Sequence, residues 1–228
     1  MANHLDLEEQ EQLDQIKHYW KQYGNLLTWV AILILGGLAS WNGYQYWQGR
    51  QATQAAAMLD EVEKIVQSSD APKAERAFGD MRERFAGTAY TQQAALMVGK
   101  MLYEAGKVDG ARATLAWASE HASDPGYAAV ARLRLASILV GERAWDEALK
   151  TLAAVTGEEF SALVADRRGD IFMLQDKRQD AVAEFTKAYK ALDERTEYRR
   201  LVSVKLNALG VNLAEDAPGA VAGSGGSK

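Results

Sequence analysis

A stretch without charge near the start of the chain constrains the fold more than any other feature. Between Lys21 and Arg50 no side chain is formally charged, and residues 26–41 are apolar except for Thr28 and Ser40. A helix needs about 20 such residues to cross a hydrocarbon core that is roughly 30 Å thick. The stretch therefore predicts a single transmembrane helix over residues 23–47.

Aromatic residues at both ends of the stretch support this interpretation. Tyr23 and Tyr44 would lie about 30 Å apart along a helix that rises ~1.5 Å per residue, which is the separation of two membrane interfaces. A cleaved export signal would start with a short basic segment and end at small residues. Here a mostly acidic segment precedes the stretch and bulky aromatics follow it. A buried core helix rarely runs so far without charge. We therefore expect an uncleaved anchor.

Orientation follows from the charges that flank the anchor. Lys17 and Lys21 precede it, whereas Arg50 and then Lys64 follow it. The excess of basic residues near the N-terminal end leans toward a cytoplasmic N-terminus, because cytoplasmic flanks of membrane helices carry more Lys and Arg. Residues 1–22 are then a short cytoplasmic segment.

Small residues line one side of the anchor. Gly36 and Ser40 are four residues apart, as are Ala39 and Gly43. Small residues at this spacing let a second helix approach closely, so we expect a helix-docking face here. The alternative is ordinary glycine tolerance within a membrane helix, and the sequence leaves both possibilities open.

Composition excludes several classes of protein. The 228 residues carry a net charge of −5, and residues 1–25 account for −3 of it, so the rest of the chain is nearly balanced. No basic surface is implied, and a nucleic-acid partner is not expected. The absence of cysteine excludes disulfides, thiol catalysis and cysteine-ligated metal centres.

The body of the chain reads as a helical repeat. Three segments align on one pattern, in which an Ala is followed by a large apolar residue four positions on and a small apolar residue three positions further. The anchor alanines are Ala111, Ala148 and Ala181, with a weaker copy at Ala74. Their intervals of 37, 37 and 33 residues compare with about 34 for a tetratricopeptide repeat. We predict an all-α chain: one N-terminal transmembrane helix, then a tetratricopeptide-like α-solenoid of three to four divergent repeats and a C-terminal capping helix.

The helix that precedes each anchor alanine carries a small residue at the position where the two helices of a repeat would pack. These residues are Gly99, Ala136 and Gly169. The consensus Trp of the first helix is missing, and Ala95, Arg132 and Ala165 stand in its place.

The repeat pattern also sets the domain limits. We assign residues 48–213 to the repeat domain, with the final helix over residues 196–213 as its cap, because a solenoid must cover its last repeat. No Pro-rich or Gly-rich linker separates the anchor from the first repeat, so the helix is expected to continue nearly unbroken. Residues 214–228 are small, polar and rich in Gly, which indicates a disordered tail.

The chain offers few residues for catalysis. Its three histidines, His4, His18 and His121, are far apart, and no hydrolase, zinc or phosphate-binding motif occurs. Asp166 and Asp170 lie one helical turn apart, but the intervening Arg167 and Arg168 favour a solvated ion-pair cluster. We expect no enzyme, no metal and no cofactor.

Repeat arrays of this type bind partners with the concave surface formed by the first helix of each repeat. The register places both apolar and charged residues there, a mixture that suits peptide segments or a protein partner. The predicted concave-face residues are Gln93, Leu96, Lys100, Tyr103, Leu133, Ser137, Leu163, Asp166, Asp170 and Met173.

The order of these features resembles a known bacterial family. The segments LDQIKHYWKQYGNLLTWVAILILGGLASWNGYQYWQGRQ and GEEFSALVADRRGDIFMLQDKRQDAVAEF are similar to the anchor region and the late repeat of the ancillary SecYEG translocon subunits, the YfgM-like proteins. The resemblance covers nearly the full length.

This resemblance implies a bacterial inner-membrane protein with a cytoplasmic N-terminus and a periplasmic repeat domain. It implies partners as well: the SecYEG translocon, a membrane-anchored periplasmic chaperone of the PpiD type, and the exported polypeptides passed between them. A scaffold for another envelope assembly or stress-signalling complex is the alternative function.

Overall fold

The computed structural model describes residues 7–211 of the chain, and within them all regular structure is helical. The predicted tail, residues 214–228, lies outside the described residues, as do residues 1–6 of the predicted N-terminal segment. A single 3-10 turn, Glu158–Phe160, precedes the seventh helix. The helices are α1 (Leu7–Gln67), α2 (Ala71–Phe85), α3 (Ala89–Glu104), α4 (Val108–His121), α5 (Pro125–Gly141), α6 (Trp145–Ala153), α7 (Ser161–Leu174), α8 (Arg178–Ala191) and α9 (Glu197–Ala208).

The chain divides into two compact units, Met1–Thr53 and Gln54–Lys228. The first unit contains most of α1. In the described residues α1 is the one helix that is long and apolar enough to cross a membrane, judged by length and composition. No charged side chain interrupts it between Lys21 and Arg50, so its surface there is suited to lipid rather than to water.

The second unit is a row of helical hairpins. The end of α1 pairs with α2, and then α3 with α4, α5 with α6 and α7 with α8, while α9 follows as a single helix. Ala55, Leu59 and Val62 at the end of α1 are buried in the same apolar core as Phe78 and Met81 of α2. The prediction of an all-α solenoid with a final capping helix is confirmed.

Capping residues determine where the first helix of a repeat begins. The Thr88 side chain accepts a hydrogen bond from the Thr91 amide at 3.3 Å at the start of α3. At the start of α5, Asp124 accepts one from the Gly126 amide at 2.7 Å, and Pro125 follows at the first helical position. Both arrangements satisfy a backbone N–H that the helix itself cannot pair.

The turn within each hairpin repeats the same backbone conformation. Ser69, Gly106, Arg143 and Asp176 all have a positive φ, between 56° and 73°. Their spacing along the chain matches that of the four anchor alanines, interval for interval. A left-handed residue ends a helix and lets the following amide bond back to a carbonyl of its last turn. The amides of Lys107, Ala144 and Lys177 do so at 2.8–2.9 Å, and each leads directly into the second helix of its hairpin.

Close packing inside a hairpin depends on the small residues that the sequence pattern singled out. A Cβ atom built on Gly99 would lie 2.8 Å from Cγ of Leu115, and one built on Gly169 would lie 2.5 Å from Cε1 of Phe185. The large apolar residue of the repeat pattern therefore packs on the small residue of its own hairpin. A methyl group at either glycine would force the two helices apart.

Arg132, which replaces a consensus aromatic residue, links two hairpins. Its guanidinium group donates to the Ser119 carbonyl at 2.8 Å and to the Ala154 carbonyl at 3.0 Å. These carbonyls lie at the C-terminal ends of α4 and α6, where backbone acceptors lack helical partners. Where the consensus has an apolar ring that packs, this chain therefore has a cation whose two hydrogen bonds join neighbouring repeats.

Candidate protein-interaction surface

The small-residue face of α1 is fully exposed in the first unit. Gly36, Ala39, Ser40 and Gly43 are all solvent-facing. A Cβ atom built on Gly36 or on Gly43 would meet no other atom within 4 Å. No contact with the side chains that the structure describes, those of residues 17, 18 and 20–211, therefore requires these glycines. The predicted docking role remains a proposal.

Aromatic and basic side chains interact with each other at the end of the apolar stretch. The rings of Tyr44 and Trp47 are 6.2 Å apart, and the Arg50 guanidinium carbon lies 5.4 Å from the centre of the Tyr46 ring. Amphipathic rings beside a cation are typical of the interface between lipid and water. The arrangement is consistent with one end of the span at about this position.

In the second unit, the ten predicted concave-face residues lie on α3, α5 and α7, the first helices of three repeats. Tyr103 and Met173 are exposed by 49% and 39%, and Lys100 and Ser137 are exposed as well. Gln93, Leu133, Leu163 and Asp170 are half-buried.

Two of the ten predicted residues are buried, and the expectation that their side chains lie open on the surface is wrong. Leu96 packs in the main apolar core, and its carbonyl accepts a hydrogen bond from Arg134 of α5 at 2.7 Å. Asp166 is 0% exposed. A helix two elements further along the chain covers each residue: α5 lies against Leu96, and α9 lies against Asp166. The register of a single helix does not reveal this burial.

Asp166 is the centre of a buried polar cluster rather than part of a solvated one. Its carboxylate accepts a hydrogen bond from the Tyr198 hydroxyl at 2.6 Å and another from the Lys205 ammonium at 2.7 Å. Lys205 also donates to Asp170 at 2.7 Å. The expected pairing with neighbouring arginines is much weaker, since Arg167 approaches Asp170 only to 3.8 Å. The main cation comes from α9.

Burial shifts the pKa values of two groups here, Asp170 and Tyr198. Loss of solvent raises the pKa of Asp170, although the Lys205 ammonium opposes the shift. The pKa of Tyr198 is raised far above its usual value, first by burial and then by its hydrogen bond to Asp166. The tyrosine therefore stays protonated as the donor to the carboxylate.

Alignment of the repeats shows that this cluster stands where the preceding repeat has apolar residues. One repeat earlier in the sequence, Leu133, Val164 and Ile171 occupy the positions that Asp166, Tyr198 and Lys205 hold between α7 and α9. Ile171 is 0% exposed, and the other two are half-buried apolar residues packed against the main core. The contact between α7 and α9 is thus polar where the preceding contact is apolar.

A groove of about 180 Å³ lies between α5 and α7, on the predicted concave side. Two of the predicted residues, Ser137 and Asp170, line it. Val140, Arg167 and Ile171 line it too, together with Ala136 and Leu152. The groove combines an apolar floor with one cation and one anion at its edge, which suits a peptide better than a small apolar ligand.

α9, which the sequence pattern predicted only as a cap, continues this surface. Gly210 has a φ of 77° and lies one repeat length after Asp176, and the Val211 amide bonds to the Leu206 carbonyl at 3.0 Å. α9 therefore ends as the first helix of a repeat ends. Its exposed residues Leu201 and Val204 occupy the positions of Arg167 and Asp170 in α7. The interval to Gly210 was the available signal.

No group of three His, Asp or Glu side chains that could hold a metal ion occurs among residues 17, 18 and 20–211, whose side chains the structure describes. The buried carboxylate of the concave side, Asp166, is instead engaged with Tyr198 and Lys205. What the geometry offers is a binding surface with mixed chemistry.

Comparison with known proteins covers almost the whole chain. Residues 17–211 match a family model described as a tetratricopeptide repeat-like domain. The ancillary SecYEG translocon subunit of Neisseria gonorrhoeae is 30% identical over 213 residues, which are 92% of this chain and 100% of the relative. The proteins of the same name from Haemophilus influenzae and Escherichia coli are 29% and 27% identical, each over 89% of this chain and over 98% and 97% of their own. With its array of tetratricopeptide-like hairpins, the chain therefore belongs to the family of ancillary SecYEG translocon subunits.

Proposed function

We propose that this protein is a membrane-anchored interaction protein of the Sec translocon, which passes translocating polypeptides to periplasmic chaperones through its repeat domain. The observation that carries the proposal is the similarity to the Neisseria gonorrhoeae subunit, which extends over the whole of that relative. A shared function is better supported by full-length similarity than by a shared repeat fold, because repeat folds serve many functions.

The concave side of the array supports a role in binding polypeptides. Tyr103 and Met173 present exposed apolar surface there, and Arg167 and Asp170 lie beside the groove between α5 and α7. Exposed apolar surface with a polar rim marks protein interaction sites. On this proposal, the exposed members of the predicted concave-face set contact the partner, and Leu96 and Asp166 support them from inside.

The anchor supports a place in the bacterial inner membrane. We propose one pass through the membrane, a cytoplasmic N-terminus and a periplasmic repeat domain, with the face formed by Gly36, Ala39, Ser40 and Gly43 against a helix of SecYEG. A PpiD-like chaperone, also anchored in the membrane, is the proposed receiver of the polypeptide.

Crosslinking in native membranes tests the association. Because the chain has no cysteine, single cysteines at Ser40 and Ser137 can carry a photoactivated crosslinker without background labelling. We expect Ser40→Cys to crosslink to a translocon subunit and Ser137→Cys to crosslink to a chaperone or to an exported polypeptide. Crosslinks confined to division or outer-membrane assembly proteins would contradict the proposal and favour the scaffold function.

Bulky substitutions test the docking face separately. Gly36→Leu with Ser40→Leu should reduce co-purification with the translocon, since leucines block close helix approach. Ile34→Phe with Leu38→Phe, which adds bulk on the opposite side of the same helix, is the matched control and should leave co-purification unchanged. Equal recovery from both double variants would exclude this face as the contact.

A further inference from the structure

Four exposed apolar side chains lie on α7 and α9. These are the last two first-position helices of the array, that is, helices in the position of the first helix of a repeat. Met173 and Leu174 of α7 are 39% and 58% exposed, and Leu201 and Val204 of α9 are 49% and 58% exposed. In the described part of the second unit, the only other large hydrophobic side chains with such exposure are Tyr90 and Tyr103. We refer to Met173, Leu174, Leu201 and Val204 as the C-terminal apolar patch.

The four residues belong to one continuous surface. Lys205 of α9 bonds to both Asp166 and Asp170 of α7, and Tyr198 of α9 bonds to Asp166. The two helices therefore lie side by side and parallel to each other. Val204 immediately precedes Lys205, and Met173 follows Asp170 within one helical turn. The groove between α5 and α7 borders the same surface through Asp170.

Two guanidinium groups flank the patch. Arg167 is 50% exposed, and its nearest carboxylate contact, with Asp170, is 3.8 Å long. Arg200 is exposed and forms no ion pair within the described residues. Of the carboxylates on α7, Asp166 is buried and Asp170 accepts a short hydrogen bond from Lys205. The exposed carboxylates of Asp176, two residues after Leu174, and Glu197, one turn before Leu201, form no ion pair with either arginine within the described residues.

We propose that the C-terminal apolar patch binds apolar segments of an unfolded exported polypeptide, and that it prefers segments that carry Asp or Glu beside the apolar residues. The proposal rests on the proposed function and names the substrate class of the same concave site. Flexible Met and Leu side chains without a deep pocket accommodate varied apolar sequences. The two arginines supply complementary charge, which selects among segments and speeds their encounter with the surface.

Peptide binding to the full chain in lipid nanodiscs tests the preference. Three fluorescent peptides of equal length are used: an apolar segment with Glu residues at its ends, the same segment with Lys residues, and the Glu version with Ser in place of the apolar residues. Empty nanodiscs correct for binding to lipid. We expect the first peptide to bind about tenfold more tightly than either of the others, a difference of ~1.4 kcal/mol.

Variants at exposed positions connect the preference to the patch. Leu201→Ser with Val204→Ser should weaken binding of the acidic apolar peptide about tenfold, because it removes two apolar contacts of roughly half-exposed side chains. Arg167→Glu with Arg200→Glu should reverse the preference in favour of the Lys peptide. Lys150→Glu with Lys190→Glu makes the same change of charge on α6 and α8, and should leave the preference as it is.

Three results would overturn the proposal. A charge preference that survives Arg167→Glu with Arg200→Glu would place the peptide elsewhere. Tighter peptide binding after removal of residues 212–228 would show that the chain's own acidic Glu215 and Asp216 segment occupies the patch. Dimers that form with rising concentration and disappear in Leu201→Ser with Val204→Ser would show that a second copy occupies it. Failure of translocon crosslinking with peptide binding intact would instead reject only the proposed function.

Discussion

Gly169 illustrates how a single atom decides the geometry of a hairpin. The Phe185 ring lies where a Cβ at position 169 would be, with Cε1 and Cδ1 at 2.5 and 2.6 Å from it. Phe185 is 1% exposed and belongs to the second apolar core, so it cannot move aside without disturbing its neighbours. The close approach of α7 and α8 therefore requires glycine.

We predict that Gly169→Ala lowers the free energy of unfolding by about 1–3 kcal/mol, which is the usual effect of an extra methyl group in a packed core. Gly79→Ala in α2 is the matched control, because a Cβ there would meet no atom within 4 Å. That control should be neutral or should stabilise by up to ~1 kcal/mol through helix propensity. Urea unfolding followed by circular dichroism measures both, and equal effects would refute the packing argument.

Tyr198 provides a prediction that depends on pH. The raised pKa of its hydroxyl means that the folded state keeps the proton above the pH, about 10, at which an unfolded tyrosine loses it. The stabilisation from its hydrogen bond to Asp166 is therefore complete below pH ~10 and is lost as the pH rises through the folded-state pKa.

Tyr198→Phe should therefore cost about 1–2 kcal/mol at pH 7, because a partly exposed donor to a carboxylate is lost. The difference between the two proteins should narrow steadily in denaturation experiments above pH ~10. Other groups that titrate in this range are common to both proteins and cancel in the comparison. A difference that stays constant up to the highest pH at which both fold would show that the hydroxyl contributes nothing through this bond.

At the scale of elements, the contact of α9 with α7 differs in kind from the contact between α5 and α7. The α9 residues Val202 and Leu206 are 0% exposed in the second apolar core, so α9 is fixed by apolar packing on α8. Toward α7, however, it presents Lys205 to two carboxylates. Buried ion pairs contribute little net stability, but removal of one partner lowers the free energy of unfolding strongly, because it leaves a buried charge without a counter-charge.

The register supplies the substitution that tests this contact. Lys205→Ile alone leaves the Asp166 carboxylate buried without its cation, and should destabilise by about 3–5 kcal/mol. Asp166→Leu, Tyr198→Val and Lys205→Ile together copy the Leu133, Val164 and Ile171 contact. They should restore stability to about the wild-type level, because Asp170, which also loses its ammonium partner, is only half-buried and keeps access to water. Urea unfolding measures both variants.

Lys150→Ile is the control for this pair of variants, since Lys150 is exposed and forms no ion pair in the part of the chain that the structure describes. It should change the free energy of unfolding by no more than ~0.5 kcal/mol. A triple variant as unstable as Lys205→Ile alone would mean that shape, and not charge, determines the fit of α9 against α7.

At this scale the sequence predicted the hairpins but not the contacts between helices that are distant in the chain. The anchor alanines and the small residues Gly99 and Gly169 identified the hairpins, because each hairpin obeys the same local packing rule. The rule does not extend to Asp166, whose surroundings come from Tyr198 and Lys205 on a different helix, two elements further along the chain. A charged residue on a helix reads as solvated until the element that covers it is known.

At the scale of the whole molecule, the two compact units differ in how far the sequence predicts them. The first unit was predictable because hydropathy and length suffice to identify a candidate membrane helix, and family membership follows from similarity along the whole chain. The extent of the concave surface was not predictable in the same way. It depends on whether α9 is a first-position helix. The interval to Gly210 hints at this in the sequence, and the positive φ of Gly210 with its hydrogen-bond pattern establishes it.

Orientation is the property of the whole chain on which the proposed function depends most, because a repeat domain can receive exported polypeptides only in the periplasm. The absence of cysteine allows one thiol at a time to be introduced. We predict that a membrane-impermeant maleimide labels Lys190→Cys in bacteria with a permeabilised outer membrane, and that Lys21→Cys reacts only after the inner membrane is broken. Both positions are exposed, so the difference reports the side of the membrane rather than burial. Labelling in the opposite order would place the repeat domain in the cytoplasm, where it could not pass an exported polypeptide to a periplasmic chaperone.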